Sequence, residues 1–224
     1  MADIQETFRA HTVLEHAKST VSTLFAFFDA AMKERGGGAP SDDEQDLLRA
    51  ALVFAAAGLD SSLKELLRAT TRPLAGIDRQ VQTEFETFVQ RQLRGDTEET
   101  ESPTGYKFLA TILSSPSPQG KLLDEYVLYL TGTSLQSVEQ LFKAARALGV
   151  EINAFADQKA KLTVIFDTRN KIIHELDVRF VGKRGHRQRN SRRRPDLEDY
   201  CDTLIKVAEL IITSVEKKLT ATAS

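Results

Sequence analysis

Three polar side chains near the end of a predicted helix are suited to chemistry at a phosphate ester. Arg169 and Asn170 are adjacent, and His174 follows one helical turn after Asn170. Histidine titrates near neutral pH, so it can accept or donate a proton. Arginine presents a permanent planar cation that fits phosphate oxygens, and an amide beside it can hold either group. The set supports acid–base catalysis and requires no metal ion.

The helix that carries these residues places the arginine among apolar side chains. At 100° per residue the predicted apolar stripe consists of Leu162, Ile165, Phe166, Ile172, Ile173 and Leu176. Arg169 falls in the middle of this stripe, where a charge is costly unless it is paired. Two interpretations remain open. Either Arg169 pairs with a core carboxylate and His174 only faces the helix dipole, or the two residues form a functional site.

Asp60 is a candidate for such a carboxylate, since it follows an apolar run on another predicted helix. The simpler interpretation of Asp60 is a solvated carboxylate on the helix surface. His11 and His16 are five residues apart and favour a surface or interface role over a metal pair. The run of three glycines from Gly36 lacks the Gly-Lys-Ser/Thr continuation of a phosphate-binding loop. We therefore expect no metal and no cofactor.

Helical spacing of apolar residues predicts an all-α bundle, without strand-like alternation or an internal repeat. Ser41 and Glu44 form a predicted capping box at the start of the second helix. The predicted helices cover residues 4–35, 41–68, 77–93, 106–113, 122–130, 134–148, 152–176 and 195–219. No long flexible linker divides the chain, so residues 1–224 are interpreted as one domain.

Composition favours a cytoplasmic protein. Hydrophobic residues make up 41% of the 224 positions and charged residues 28%, as in ordinary globular proteins. The first ten residues do not resemble a signal peptide, and the apolar run 50–59 is too short to cross a bilayer. With Cys201 as the single cysteine, an internal disulfide is excluded.

A basic segment follows the helix directly. Residues 179–194 contain eight lysines and arginines and no acid, namely Arg179, Lys183, Arg184, Arg187, Arg189, Arg192, Arg193 and Arg194. The rest of the chain has 22 basic and 32 acidic residues, a net charge of −10. Such runs are often merely solvated. Because this one begins five residues after His174, we expect a loop that binds phosphates, with Phe180 as the only aromatic side chain nearby and little sequence selectivity.

Residues 169–174, Arg-Asn-Lys-Ile-Ile-His, resemble the Arg-x4–6-His signature of the HEPN superfamily (higher eukaryotes and prokaryotes nucleotide-binding). Residues 175–177 and the helix 50–66 are similar to the RiboL-PSP-HEPN branch, and the resemblance extends over about residues 45–215. Lys64 stands where many members have histidine. Leu176 stands where members that are silenced by nucleotidylation have tyrosine, which argues against that control here.

The resemblance implies a helical bundle that forms a homodimer, with one composite ribonuclease site where two motif helices meet. Arg169 and His174 would be catalytic, and Asn170 would support them. Relatives of this kind are metal-independent endoribonucleases that act as toxins, anti-phage effectors or RNA-processing enzymes, some of them restrained by an antitoxin or sensor protein. The competing expectation is a non-catalytic helical module that binds RNA, a nucleotide or a protein partner through the same cleft.

Overall fold

A long central helix, α2 (Asp42–Ile77), contacts most of the other helices. The structure is a computed structural model that describes residues 3–95, 105–181 and 186–222. The predicted capping box is confirmed: Ser41 Oγ accepts a hydrogen bond from the Glu44 N–H, and the Glu44 carboxylate accepts one from the Ser41 N–H at 2.6 Å. The helix ends nine residues later than predicted, because its buried face continues to Leu74 in spite of Pro73.

The other helices follow the predicted order, with bounds that differ by a few residues. They are α1 (Asp3–Glu34), α3 (Arg79–Arg94), α4 (Gly105–Leu113), α5 (Pro118–Thr131), α6 (Val138–Ala147), α7 (Lys159–Glu175) and α8 (Arg194–Thr222). Two short 3₁₀ turns, Ile152–Ala154 and Ala156–Gln158, occupy the predicted start of α7. The prediction of an all-α bundle is confirmed. Within the described residues, none of these helices has the length and apolar character that crossing a bilayer requires.

The hydrophobic core is one continuous cluster to which all eight described helices contribute. Helices α1 and α2 approach closely where Gly58 faces Ala17. A Cβ atom at position 58 would lie 2.3 Å from the Cβ of Ala17, so only glycine fits. Helices α1, α2 and α8 pack against one another, and α7 contacts α2 and α8.

The basic segment is not the loop that its composition predicts. It begins with a two-stranded antiparallel hairpin, β1 (Val178–Val181) and β2 (His186–Arg189), in which Val178 pairs with Arg189. Residues 190–193 then lead into α8. Polar and basic residues fill β2, so the apolar alternation that identifies a strand in a sequence is missing.

The motif helix α7 buries only part of its predicted apolar stripe. Leu162, Ile165, Phe166 and Ile172 are buried against the core. Ile173 is 38% exposed and Leu176 is 68% exposed. The helix ends at Glu175, and Leu176 adopts a left-handed conformation with φ 52°, so helical spacing no longer applies to it. The last turn of α7 therefore presents apolar surface to solvent.

The close approach of α1 and α2 gives a direct test of the packing. We expect Gly58→Ala to lower the free energy of unfolding by about 1–2 kcal/mol, because the added methyl group overlaps Ala17 and outweighs the helix propensity of alanine. Gly76→Ala in the same helix has no atom within 4 Å of the added Cβ and should be neutral or stabilising by up to about 1 kcal/mol.

Urea denaturation of both variants measures the difference. The double substitution Gly58→Ala with Ala17→Gly should recover most of the loss, since it moves the small residue to the facing helix. Equal stabilisation by Gly58→Ala and Gly76→Ala would contradict this packing.

Candidate active site

The predicted catalytic residues lie on the last two turns of α7, where the helix leaves the core. Arg169 and Asn170 are both half-buried, and Arg169 Nη1 donates a hydrogen bond to Asn170 Oδ1 at 3.0 Å. The structure thus brings together the arginine and the amide that the sequence places next to each other. The contact fixes one edge of the guanidinium.

The positive charge of Arg169 has no carboxylate partner among the described residues. No ion pair within 4.0 Å involves it there, and its Nε atom is buried without a hydrogen-bond acceptor. Burial lowers the pKa of the Arg169 guanidinium from its usual value, and the negative charge of Asp60 opposes this shift. An arginine remains protonated at neutral pH in any case. The site therefore holds an incompletely satisfied cation.

Asp60 is neither the direct partner of Arg169 nor a freely solvated carboxylate. Its Oδ2 atom lies 3.1 Å from Lys64 Nζ, and its Oδ1 atom accepts a hydrogen bond from the Leu135 N–H at 2.6 Å. These contacts tie α2 to the segment before α6. Asp60 acts on Arg169 only through its longer-range charge, and Lys64, at the position where the resemblance expects histidine, neutralises part of that charge.

His174 lies on the solvent side of the same helix end. Its side chain is exposed and forms no hydrogen bond with any residue that the structure describes. Its i,i+4 spacing places it one turn beyond Asn170 on the same side of α7. Because no side chain within the described residues holds the imidazole, its position depends on the backbone of the last turn.

That backbone is anchored by a buried carboxylate, Asp177, which the sequence analysis did not identify as functional. Its side chain is fully buried and accepts hydrogen bonds from Arg49 Nε at 3.1 Å, Arg192 Nε at 2.8 Å and Asn190 Nδ2 at 2.9 Å. Burial raises the pKa of Asp177, but the hydrogen bonds from Arg192, Asn190 and Arg49 outweigh it and hold the pKa below its usual value.

One sequence signal pointed to this cluster. Arg49 interrupts the apolar face of α2 between Leu48 and Leu52, and a buried arginine requires a buried acid. The acid is 128 residues away along the chain, so spacing within α2 gives no means of choosing it.

Two further arginines of the basic segment are also held by carboxylates. Arg189 Nη1 lies 3.0 Å from Asp46, at the start of α2. Arg194 Nε lies 2.7 Å from Asp29 on α1, and its Nη1 lies 2.6 Å from Glu198 on α8. These ion pairs fasten the hairpin and the start of α8 to the core. The charges of Arg189, Arg192 and Arg194 are consequently engaged by carboxylates of the protein itself.

The remaining basic residues of the segment are either exposed or lie where the structure does not describe their side chains. The side chain of Arg193 is 77% exposed, and its closest acid is Asp196 at 4.0 Å. Arg179 is exposed and donates to Gln188 Oε1 at 3.2 Å. Lys183 and Arg184 lie outside the described residues, and Arg187 is described only by its backbone pairing with Phe180. Within the basic segment, Arg179 and Arg193 are the described cations that remain accessible to a polyanion.

Comparisons with protein-family models, with curated proteins and with solved structures find no match to this chain. Over residues 3–95, 105–181 and 186–222, no three His, Cys, Asp or Glu side chains are grouped so that they could hold a metal ion. The resemblance to HEPN proteins therefore continues to depend on the two sequence segments that carry it, and the function is argued below from the site itself.

The division of the arginines into buried-acid partners and exposed cations predicts different effects on stability for two neighbouring residues. Arg192→Ala removes two hydrogen bonds from the buried Asp177 and should lower the free energy of unfolding by about 2–3 kcal/mol. Arg193→Ala removes an exposed cation with one distant acid and should change it by less than about 0.5 kcal/mol. Urea denaturation under identical salt measures both. Similar values for the two variants would show that the Asp177 cluster does not hold the fold.

Proposed function

We propose that this chain is a metal-independent endoribonuclease of the HEPN type, in which Arg169, Asn170 and His174 cleave RNA. One observation carries the proposal. The half-buried guanidinium of Arg169 has no carboxylate partner within the described residues, although the fold pairs the buried Arg49 with Asp177 and Asp46. A partly desolvated cation without an acid gains most from an external anion, and RNA supplies a phosphate.

The chemistry follows from the groups present. In the proposed reaction the 2′-oxygen of the substrate attacks the adjacent phosphorus, and the bond from phosphorus to the 5′-oxygen breaks. A base takes the proton of the 2′-hydroxyl, and an acid gives a proton to the departing 5′-oxygen. His174 moves one of these protons, Arg169 stabilises the charge that develops on the phosphorane, and Asn170 holds the guanidinium in place.

A homodimer would supply the second proton-transfer group. Among the side chains that the structure describes, one chain offers a single histidine at this site, whereas the reaction needs an acid and a base. The exposed Ile173 and Leu176 flank His174 and form apolar surface that a second copy of α7 would cover. Two motif helices related by a twofold axis would then place both His174 residues in one cleft.

RNA binding is assigned to the basic segment, with different roles for its members. Arg179 and Arg193, which are exposed, are proposed to contact phosphates, together with Lys183, Arg184 and Arg187. Arg189, Arg192 and Arg194 are engaged by Asp46, Asp177 and Asp29 and would contribute through the shape of the hairpin. Contacts of this kind bind RNA with little sequence preference.

The cellular role is the part of the proposal that depends on the resemblance alone. A cytoplasmic ribonuclease with weak sequence preference would damage its own cell, which fits a toxin or an anti-phage effector. Such an enzyme requires an antitoxin or a sensor protein to restrain it, and the exposed end of α7 is one surface on which a restraining protein could cover the site.

One observation favours a second candidate, a non-catalytic module that binds RNA, a nucleotide or a protein. His174 has no hydrogen-bond partner within the described residues, whereas catalytic histidines are usually oriented by a neighbour. A binding module would need the cation of Arg169 and the exposed apolar surface, but not the imidazole.

Cleavage assays on single-stranded RNA separate the two candidates. His174→Ala should lower the cleavage rate by about 10²- to 10⁴-fold, the usual contribution of a proton-transfer group. His16→Ala is the matched control, since it removes an exposed histidine of α1 far along the chain from the motif and should leave the rate unchanged. Circular dichroism and size-exclusion chromatography show whether each variant keeps its helices and its oligomeric state.

Two outcomes would contradict the proposal. Cleavage by His174→Ala at the parental rate would remove the histidine from the mechanism. A parent protein that binds RNA but does not cleave it, even at protein concentrations at which it is dimeric, would support the binding module.

A further inference from the structure

The buried Asp177 cluster lies directly beyond the proposed catalytic turn. Asp177 comes three residues after His174, and its carboxylate is shared by Arg49 of α2 and Arg192 of the segment before α8. Asn190 adds a hydrogen bond to the carboxylate at 2.9 Å and another to the Asp177 carbonyl oxygen at 3.0 Å. One side chain therefore joins the end of α7 to α2 and to the hairpin.

The chain between His174 and this cluster has an unusual backbone. Leu176 and Asp177 both have positive φ angles, 52° and 57°, a conformation that residues with a side chain rarely adopt. Two residues in succession need an external constraint to remain there. The Asp177 N–H donates to the Lys171 carbonyl oxygen at 2.9 Å, which closes the helix end inside this turn. The ion pairs of Asp177 supply the constraint.

We propose that Asp177 is a positioning residue that sets the location of His174 through the last turn of α7, a role that rests on the nuclease function proposed above. The exposed imidazole has no side-chain partner among the described residues, so the turn is what determines where it stands. Asp177 itself is 0% exposed and cannot touch RNA, which distinguishes it from a catalytic residue.

The same cluster couples the RNA-binding segment to the catalytic turn. The Arg192 side chain contacts Asp177, and the Arg192 backbone N–H donates to Gln45 on α2 at 2.7 Å. The chain that follows the hairpin is therefore held against α2 and against the end of α7. A phosphate contact made by the exposed Arg193 is thereby kept at a fixed distance from His174. Loss of the cluster should disturb the rate of cleavage more than the affinity for RNA.

The test is Asp177→Asn, which keeps the shape of the side chain and removes its charge. The matched control is Asp199→Asn, an identical substitution in an exposed pair with Lys161 at the start of α7, 2.7 Å apart. Three quantities are measured: the single-turnover cleavage rate at saturating protein, the Kd for an uncleavable RNA with 2′-deoxy riboses, and hydrogen exchange of the peptide covering residues 171–177.

We expect Asp177→Asn to lower the cleavage rate by about tenfold or more, because small displacements of a reacting group are costly. The Kd for the 2′-deoxy RNA should stay within about threefold of the parent, since the exposed phosphate contacts are unchanged. Exchange over 171–177 should become about tenfold faster. Asp199→Asn should leave all three within about twofold.

Other results overturn the proposal in distinguishable ways. A parental cleavage rate in Asp177→Asn, with or without faster exchange, would show that His174 does not depend on the cluster. An equal loss of affinity and rate would show that the cluster supports the RNA-binding segment and does not position His174. A parent protein that does not cleave RNA would reject the nuclease function. The role of Asp177 in holding the last turn of α7 would then be judged from the hydrogen exchange of residues 171–177 alone.

Where Asp177→Asn does not fold, Arg192→Lys is the second variant, since it keeps the positive charge and removes the planar fork of the guanidinium. It should give a smaller loss of rate at unchanged affinity, and a parental rate would again contradict the proposal.

Discussion

The buried carboxylate of Asp177 is the interaction on which the arrangement of the site depends. It compensates two arginines, Arg49 and Arg192, that come from distant parts of the chain. A buried ion pair adds little net stability compared with apolar packing, but removing one partner leaves an uncompensated charge and is strongly destabilising. The cluster therefore specifies one geometry among those that the apolar core alone would permit. It fixes where α7 stops and where the hairpin begins.

The contrast between two arginines connects this geometry to function. Arg49 is as buried as a core leucine, and carboxylates satisfy its charge. Arg169 lies half-buried on the apolar side of α7, where Asn170 is its hydrogen-bond partner and Asp60 contributes only a more distant charge. The fold thus pairs the cation of Arg49 with carboxylates and leaves Arg169, on the same helix as the exposed His174, without such a partner within the described residues. In the proposed function, a phosphate diester would supply the ion pair that Arg169 lacks there.

The sequence predicted the helices well because their apolar faces repeat at helical spacing and because capping residues such as Ser41 mark their starts. It also identified the cation, amide and imidazole of α7, of which the structure brings Arg169 and Asn170 into contact. It did not predict that Ile173 and Leu176 are exposed. Periodicity shows which side of α7 is apolar, but it does not show how far along α7 the neighbouring helices cover that side.

The basic segment shows even more clearly that a sequence pattern does not predict which side chains remain exposed. Its composition suggested a uniform set of RNA-binding cations, yet Arg189, Arg192 and Arg194 are paired with acids on α1, α2 and the turn after α7. Those acids lie between 15 and 165 residues away in the chain, and no local pattern relates them. Charge counts predict the sign of a segment, whereas only the fold decides which of its charges remain available.

The central claim, that this site cleaves RNA by attack of the substrate's own 2′-hydroxyl without a metal ion, is tested most directly with a single substitution in the substrate. A cleavage position is mapped on an RNA oligonucleotide, and the ribose that precedes the scissile phosphate is replaced by 2′-deoxyribose. In EDTA, the parent protein should bind both RNAs equally, leave the substituted position intact, and cut the unmodified RNA to a 2′,3′-cyclic phosphate and a 5′-hydroxyl. Cleavage at the 2′-deoxy position, or inhibition by EDTA that Mg²⁺ reverses, would contradict the account.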